Sequence, residues 1–69
     1  MKTDVTGSCV RRGDVILVAE SALGPACEIV VRTSPKHASS DVLYYEDERR
    51  IPRSLVATVV YTVRRSEVS

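Results

Sequence analysis

The sequence predicts an all-β fold: a small antiparallel barrel or barrel-like sheet of five strands. Val, Ile, Thr and Tyr dominate its apolar set, and branched and ring side chains suit a pleated surface. Turn-forming residues divide the chain into short apolar runs. No long stretch keeps the i, i+3, i+4 spacing of an amphipathic helix. At 69 residues the chain has room for one domain, read here as 1–69. Within it, 1–10 forms an edge strand or a loose start, and 66–69 a loose tail.

The strands follow in order. Arg11-Arg12-Gly13 reads as a turn into the first strand, Asp14 to Glu20. Gly24-Pro25 ends the pattern, and a second strand runs from Ala26 to Thr33. Ser34 to Ser40 is a loop, and Asp41 to Glu46 a third strand. Asp47 and Glu48 turn the chain into a short fourth strand, Arg49-Arg50-Ile51. Pro52 lacks an N–H and ends it, so Pro52 to Leu55 forms one 3₁₀ turn. The last strand is Val56 to Arg64; the alternative, a helix over Arg53 to Tyr61, is disfavoured by Val56, Val59, Val60 and two Thr. Val5 to Val10 is a further edge-strand candidate.

The run Gly13-Asp14-Val15-Ile16-Leu17-Val18 and the turn Pro52-Arg53-Ser54-Leu55-Val56 resemble those of SH3-like barrels. These folds often open on Gly-Asp-aliphatic and place a 3₁₀ turn before the last strand. The resemblance covers Gly13 to Val63 in outline. The chain departs from signalling SH3 domains, lacking Trp and most groove aromatics, so Pro-rich peptide binding is not implied. Ribonuclease toxins on the same barrel begin similarly. They are usually longer, and their catalytic positions have no match here. Fold similarity alone carries no function.

Alternation puts Leu55, Ala57, Val59, Tyr61 and Val63 on one face of the last strand. The second face of the strands is also apolar, offering Ile16, Val18, Val30, Val56 and Val60. A contiguous apolar patch marks an interface. With no Phe or Trp, the core is thin, and small scaffolds need extra help. Both observations predict a homodimer built on those five residues.

The chemistry-bearing residues are few. His37 is the only histidine and sits near Ser34, Ser39, Ser40 and Asp41. Crowding in a loop does not make a triad, so it reads as a solvated side chain. Cys9, beside Arg11 and Arg12, is the better candidate for a lowered pKa. Cys27, in a strand, reads as core. Two cysteines in a reducing compartment read as thiols. Cys9, Cys27 and His37 are too scattered for a closed zinc site. Glu46-Asp47-Glu48 supplies only part of a Ca²⁺ shell and is followed by Arg49, Arg50 and Arg53, so internal pairing explains it. Arg12-Gly13-Asp14 spells the integrin tripeptide, but a turn glycine entering a strand accounts for it. The three glycines are dispersed and make no phosphate loop. No catalytic residue, metal, cofactor or small-molecule substrate is therefore expected.

Eight of the ten basic residues are Arg, mostly in pairs. Arg presents a planar fork to phosphate, carboxylate and aromatic faces. Arg49, Arg50, Arg53, Arg64 and Arg65, with Tyr44 or Tyr45 as a platform, form the candidate binding set for protein or nucleic acid. Tyr44 and Tyr45 face opposite ways, so one is free to stack while the other enters the core. A net charge of +1 favours a protein partner over nucleic acid. Plain Arg usage is the bland reading of the same set. The sequence thus points to a non-enzymatic accessory or inhibitory protein acting through a protein–protein interface. A nucleic-acid binder and a ribonuclease toxin are the alternatives. Without a signal-like or membrane-length apolar run, the expected place is a cytoplasm, bacterial or phage-infected by analogy.

Overall fold

The computed structural model describes residues 1–65; the expected tail, 66–69, lies outside them. Seven strands form two antiparallel sheets: β1 (Lys2–Thr6), β2 (Val15–Val18), β3 (Cys27–Val30), β4 (Lys36–His37), β5 (Val42–Glu46), β6 (Pro52–Val56) and β7 (Val60–Arg64). One sheet has the order β1-β7-β2-β3, the other β4-β5-β6. Among the described residues the fold is all-β, as the composition predicts, but with seven strands rather than five, arranged as two sheets rather than as a clearly closed barrel.

Val31 links the sheets. It continues β3 and bridges to Asp47, just past β5. Its N–H donates to the Asp14 carbonyl at 2.9 Å and its own carbonyl accepts from Gly13 at 2.8 Å. Gly13 has φ 93°, a conformation that suits glycine. The core gathers around this junction: Val10, Ile16, Val31, Leu43, Tyr45, Leu55, Ala57 and Val63 are buried, with Val5, Ile29 and Tyr61 packed against them.

The 3₁₀ turn is not where the sequence placed it. Gly7–Cys9 forms one after β1, and Pro52 opens β6 instead of ending a strand. β6 is an edge strand, and the first residue of an edge strand tolerates a missing N–H. The segment read as a fourth strand, Arg49 to Ile51, is the turn between β5 and β6. Asp47 organises it: its Oδ1 accepts the N–H of Arg49 at 2.9 Å and of Ile51 at 3.0 Å. Arg50 sits at φ 63°.

The long last strand is broken. Ala57 donates to the Asp41 carbonyl at 2.7 Å, and Val59 to that of Val56 at 3.2 Å. The carbonyls of Ala57 and Val59 accept from Ser8 and Gly7. These bonds turn the chain between β6 and β7, so Val59 is 45% exposed although strand alternation put it inside. Leu55, Ala57 and Val63 do enter the core.

Candidate interaction site

The binding set read from the sequence is not one surface. Tyr45 is buried and Tyr44 is 53% exposed, since neighbouring strand residues alternate. Burial raises the Tyr45 phenol pKa, against a smaller lowering by Arg53. Arg49, Arg50 and Arg53 belong to the β5–β6 hairpin, whereas Arg64 and Arg65 end β7 in the other sheet.

Three of these five arginines are engaged internally. Arg53 Nε donates to Asp47 Oδ2 at 3.0 Å. Arg64 makes a two-pronged pair with Glu28, both bonds at 2.9 Å. That pair spans β2, whose outward Val15 and Leu17 are half-buried, and an arginine stem can shield such side chains. The Arg64 guanidinium holds the Glu28 carboxyl below its ordinary pKa. Arg65 reaches Asp14, itself 2% exposed, and also donates to the Cys9 carbonyl at 2.9 Å. Among the described residues, the side chains of Arg49 and Arg50 have no ion-pair partner.

The five-residue self-association patch also needs correction. Ile16 is 4% exposed because it pairs in register with Val63 and Ile29 on the inner face. Val30 is half-buried. Val56 lies in β6, on the second sheet, opposite Val42. Val18 and Val60 remain exposed, and they line one cleft of about 400 Å³ between the sheets, with Ile29, Tyr45, Leu55 and Tyr61. The Tyr61 hydroxyl at this cleft accepts the N–H of Val56 at 3.0 Å.

Leu23 escaped the sequence reading. It is 99% exposed at the tip between β2 and β3, where Ser21 and Gly24 exchange backbone bonds of 2.9 and 3.1 Å. Gly24-Pro25 signalled the turn, but nothing local shows that the leucine inside it points to water. The buried Asp14 was missed for a similar reason, since Arg65 becomes its neighbour only on folding, whereas the internal pairing expected of the acidic cluster is found at Asp47, which holds Arg53 six positions on.

The catalytic candidates stay apart. His37 lies on β4, with Nδ1 3.2 Å from the Ser39 carbonyl oxygen. Among the described residues it has no hydrogen bond to a serine hydroxyl or to Asp41. Both cysteines are free and exposed, so Cys27 is not core: it begins β3, opposite exposed Val18 at the end of β2. Hydrogen bonding from the Thr6 and Ser8 hydroxyls lowers the Cys9 thiol pKa, with smaller help from Arg11 and Arg65. Among the described residues no group of three or more His, Cys, Asp or Glu is placed to share a metal ion. Nor is any helix long and apolar enough to cross a membrane.

Comparison with models of protein families, with curated proteins and with solved structures gives no match.

Proposed function

We propose that the chain is a small, non-enzymatic interaction protein that works as a homodimer and binds a protein partner. The observation that carries this reading is the internal use of Arg53, Arg64 and Arg65 by Asp47, Glu28 and Asp14. A phosphate-binding face needs free cations, and these three are neutralised where they stand. The surface keeps apolar groups instead: Leu23, Val18 and Val60 are exposed. The partner inserts an apolar side chain into the cleft rimmed by Val18 and Val60, since aliphatic clefts gain most from desolvation.

The two sheets, with β7 between β1 and β2 and Val31 joining them, support an open relative of the SH3-like barrel. An accessory or inhibitory role in a bacterial or phage-infected cytoplasm is the setting that analogy supplies.

A photo-reactive residue at Val60, compared with one at exposed Glu20, tests the partner reading in cells that make the protein. A discrete protein adduct at Val60 alone supports it; adducts of equal yield at both sites, or none, defeat it.

Nucleic acid is the second reading, favoured by one observation. Exposed Tyr44 pairs in register with Lys36, on the strand that leads to Arg49 and Arg50. Binding of a mixed RNA and DNA pool at low salt, lost in an Arg49→Ala, Arg50→Ala double variant, would decide for it.

A further inference from the structure

We propose that two copies of this chain pair through β1, antiparallel across a two-fold axis centred on Thr3, so that Lys2 of each copy faces Asp4 of the other. The pairing rests on the homodimer reading above and specifies how that dimer is built.

β1 is the outer strand of its sheet. Its register with β7 matches Lys2 to Arg64 and Thr6 to Val60. At one end Arg65 donates to the Met1 carbonyl at 2.9 Å, and at the other Gly7 donates to the Val59 carbonyl at 2.9 Å. Both bonds flank, rather than join, a matched pair. Antiparallel ladders alternate, so Thr3 and Val5 exchange backbone bonds with β7. The N–H and C=O groups of Lys2, Asp4 and Thr6 therefore point away from the sheet. An open edge of this kind is a template for another strand.

A two-fold pairing must bring these outward groups together, and three centres match more than one outward residue of β1: Thr3, Asp4 and Val5. Centring on Asp4 sets two aspartates face to face, and like charges directly opposite are destabilising. Centring on Val5 puts Asp4 against Thr6 and leaves Lys2 opposite the 3₁₀ turn, without a strand partner. Centring on Thr3 sets Lys2 against Asp4 twice, with outward N–H and C=O groups matched at both positions. Charge complementarity thus selects one register and one occupant, a second copy. Lys2 and Asp4 are both exposed, and they share the outer face of the strand. The Thr62 hydroxyl donates to Asp4 Oδ1 at 2.7 Å. This anchors the carboxylate on that face and leaves Oδ2 for the incoming ammonium. The contact is isologous, as a two-fold interface must be, and it joins two four-stranded sheets into one of eight. The cleft at Val18 and Val60 is lined from β2, β3, β5, β6 and β7, so β1 pairing leaves it open.

Sedimentation of the full chain across a wide concentration range tests the pairing, with circular dichroism confirming that each variant is folded. Wild type should be a dimer. Lys2→Asp and Asp4→Lys should each weaken it about tenfold or more by opposing like charges. An equimolar mixture of the two variants should dimerise again, as should the double exchange. Asp4→Pro, which removes an outward N–H and spares the bonds to β7, should be monomeric. A wild-type monomer at every concentration overturns this pairing and the homodimer reading together. A dimer unchanged by both single exchanges overturns the pairing and leaves the homodimer standing. Dissociation of both variants without recovery in the mixture overturns the Thr3-centred register.

Discussion

Arg65 closes on Asp14 from 51 positions away, with Nε 3.0 Å from Oδ1 and a terminal nitrogen 2.9 Å from Oδ2. The same carboxylate accepts the backbone N–H of Arg11 at 2.9 Å, so one side chain ties the turn before β2 to the end of β7. Its backbone in turn bonds to Val31. A charge this well covered is tolerable because each carboxylate oxygen has a donor.

Removing that carboxylate should be costly. Asp14→Ala leaves the Arg65 guanidinium and the Arg11 N–H without their acceptor and should destabilise the fold by about 2–3 kcal/mol. Urea unfolding of variant and wild type measures it. A loss no larger than that of an ordinary surface substitution would contradict this account of the clasp.

Asp47 should make stability sensitive to acid. The Ile51 N–H bond, then Arg53 and the Arg49 N–H, hold its carboxyl below the ordinary value of 3.8, with burial opposing them. A carboxylate depressed on folding stabilises fully above its unfolded value, and that stabilisation fades as pH falls through the folded one. Asp47→Asn should therefore melt lower than wild type at pH 7, and the gap should close below pH 3.8. Melting curves from neutral pH to pH 2 check this; a gap that stays constant with pH would refute it.

Gly7 has no room for a side chain. A Cβ there would overlap the Val56 carbonyl, at the place where the 3₁₀ turn meets β6. Gly7→Ala should cost about 1–3 kcal/mol, as overpacking does when backbone must move. Gly24→Ala, where a Cβ meets nothing within 4 Å, is the control, and chemical unfolding of both separates crowding from a general effect of losing glycine.

Arg50→Gly should raise stability. The arginine occupies φ 63°, a conformation in which a side chain is strained. Relief of that strain exceeds the added freedom of glycine in the unfolded chain, for a gain of about 0.5–1 kcal/mol. The upward shift of the thermal midpoint is the readout, and an unchanged or lower midpoint would show that the turn is not strained.

Alternation in the sequence was enough to turn Leu55 and Val63 inward and to put Tyr44 and Tyr45 on opposite faces, but not to say which tyrosine is the buried one; the fold buries Tyr45. It assigned Ile16 to the wrong face, because the strand carrying it is apolar on both sides and only its partners Val63 and Ile29 decide which side is dry. The bend at Ala57 to Val59 was hidden for a related reason. Val and Thr suit a strand, and the bonds that turn the chain there come from Gly7, Ser8 and Asp41. The arginine set was legible as composition and illegible as a site, since Glu28 lies 36 positions from Arg64 and Asp14 lies 51 from Arg65.

The position of β7 also sets the order in which the fold can be assembled. It fills the slot between β1 and β2, so Val5 and Ile16 must await Tyr61 and Val63. During synthesis both earlier strands leave the ribosome with an unpaired edge. The β5–β6 hairpin, in contrast, closes on its own short turn. Pairings between distant segments form slowly because loop closure precedes any gain. A released chain ending before Val60 therefore keeps its second sheet and the β2–β3 pair within reach but has nothing to join β1 to β2, and the exposed edges of β1 and β2 are then the places where a holding chaperone has something to grip.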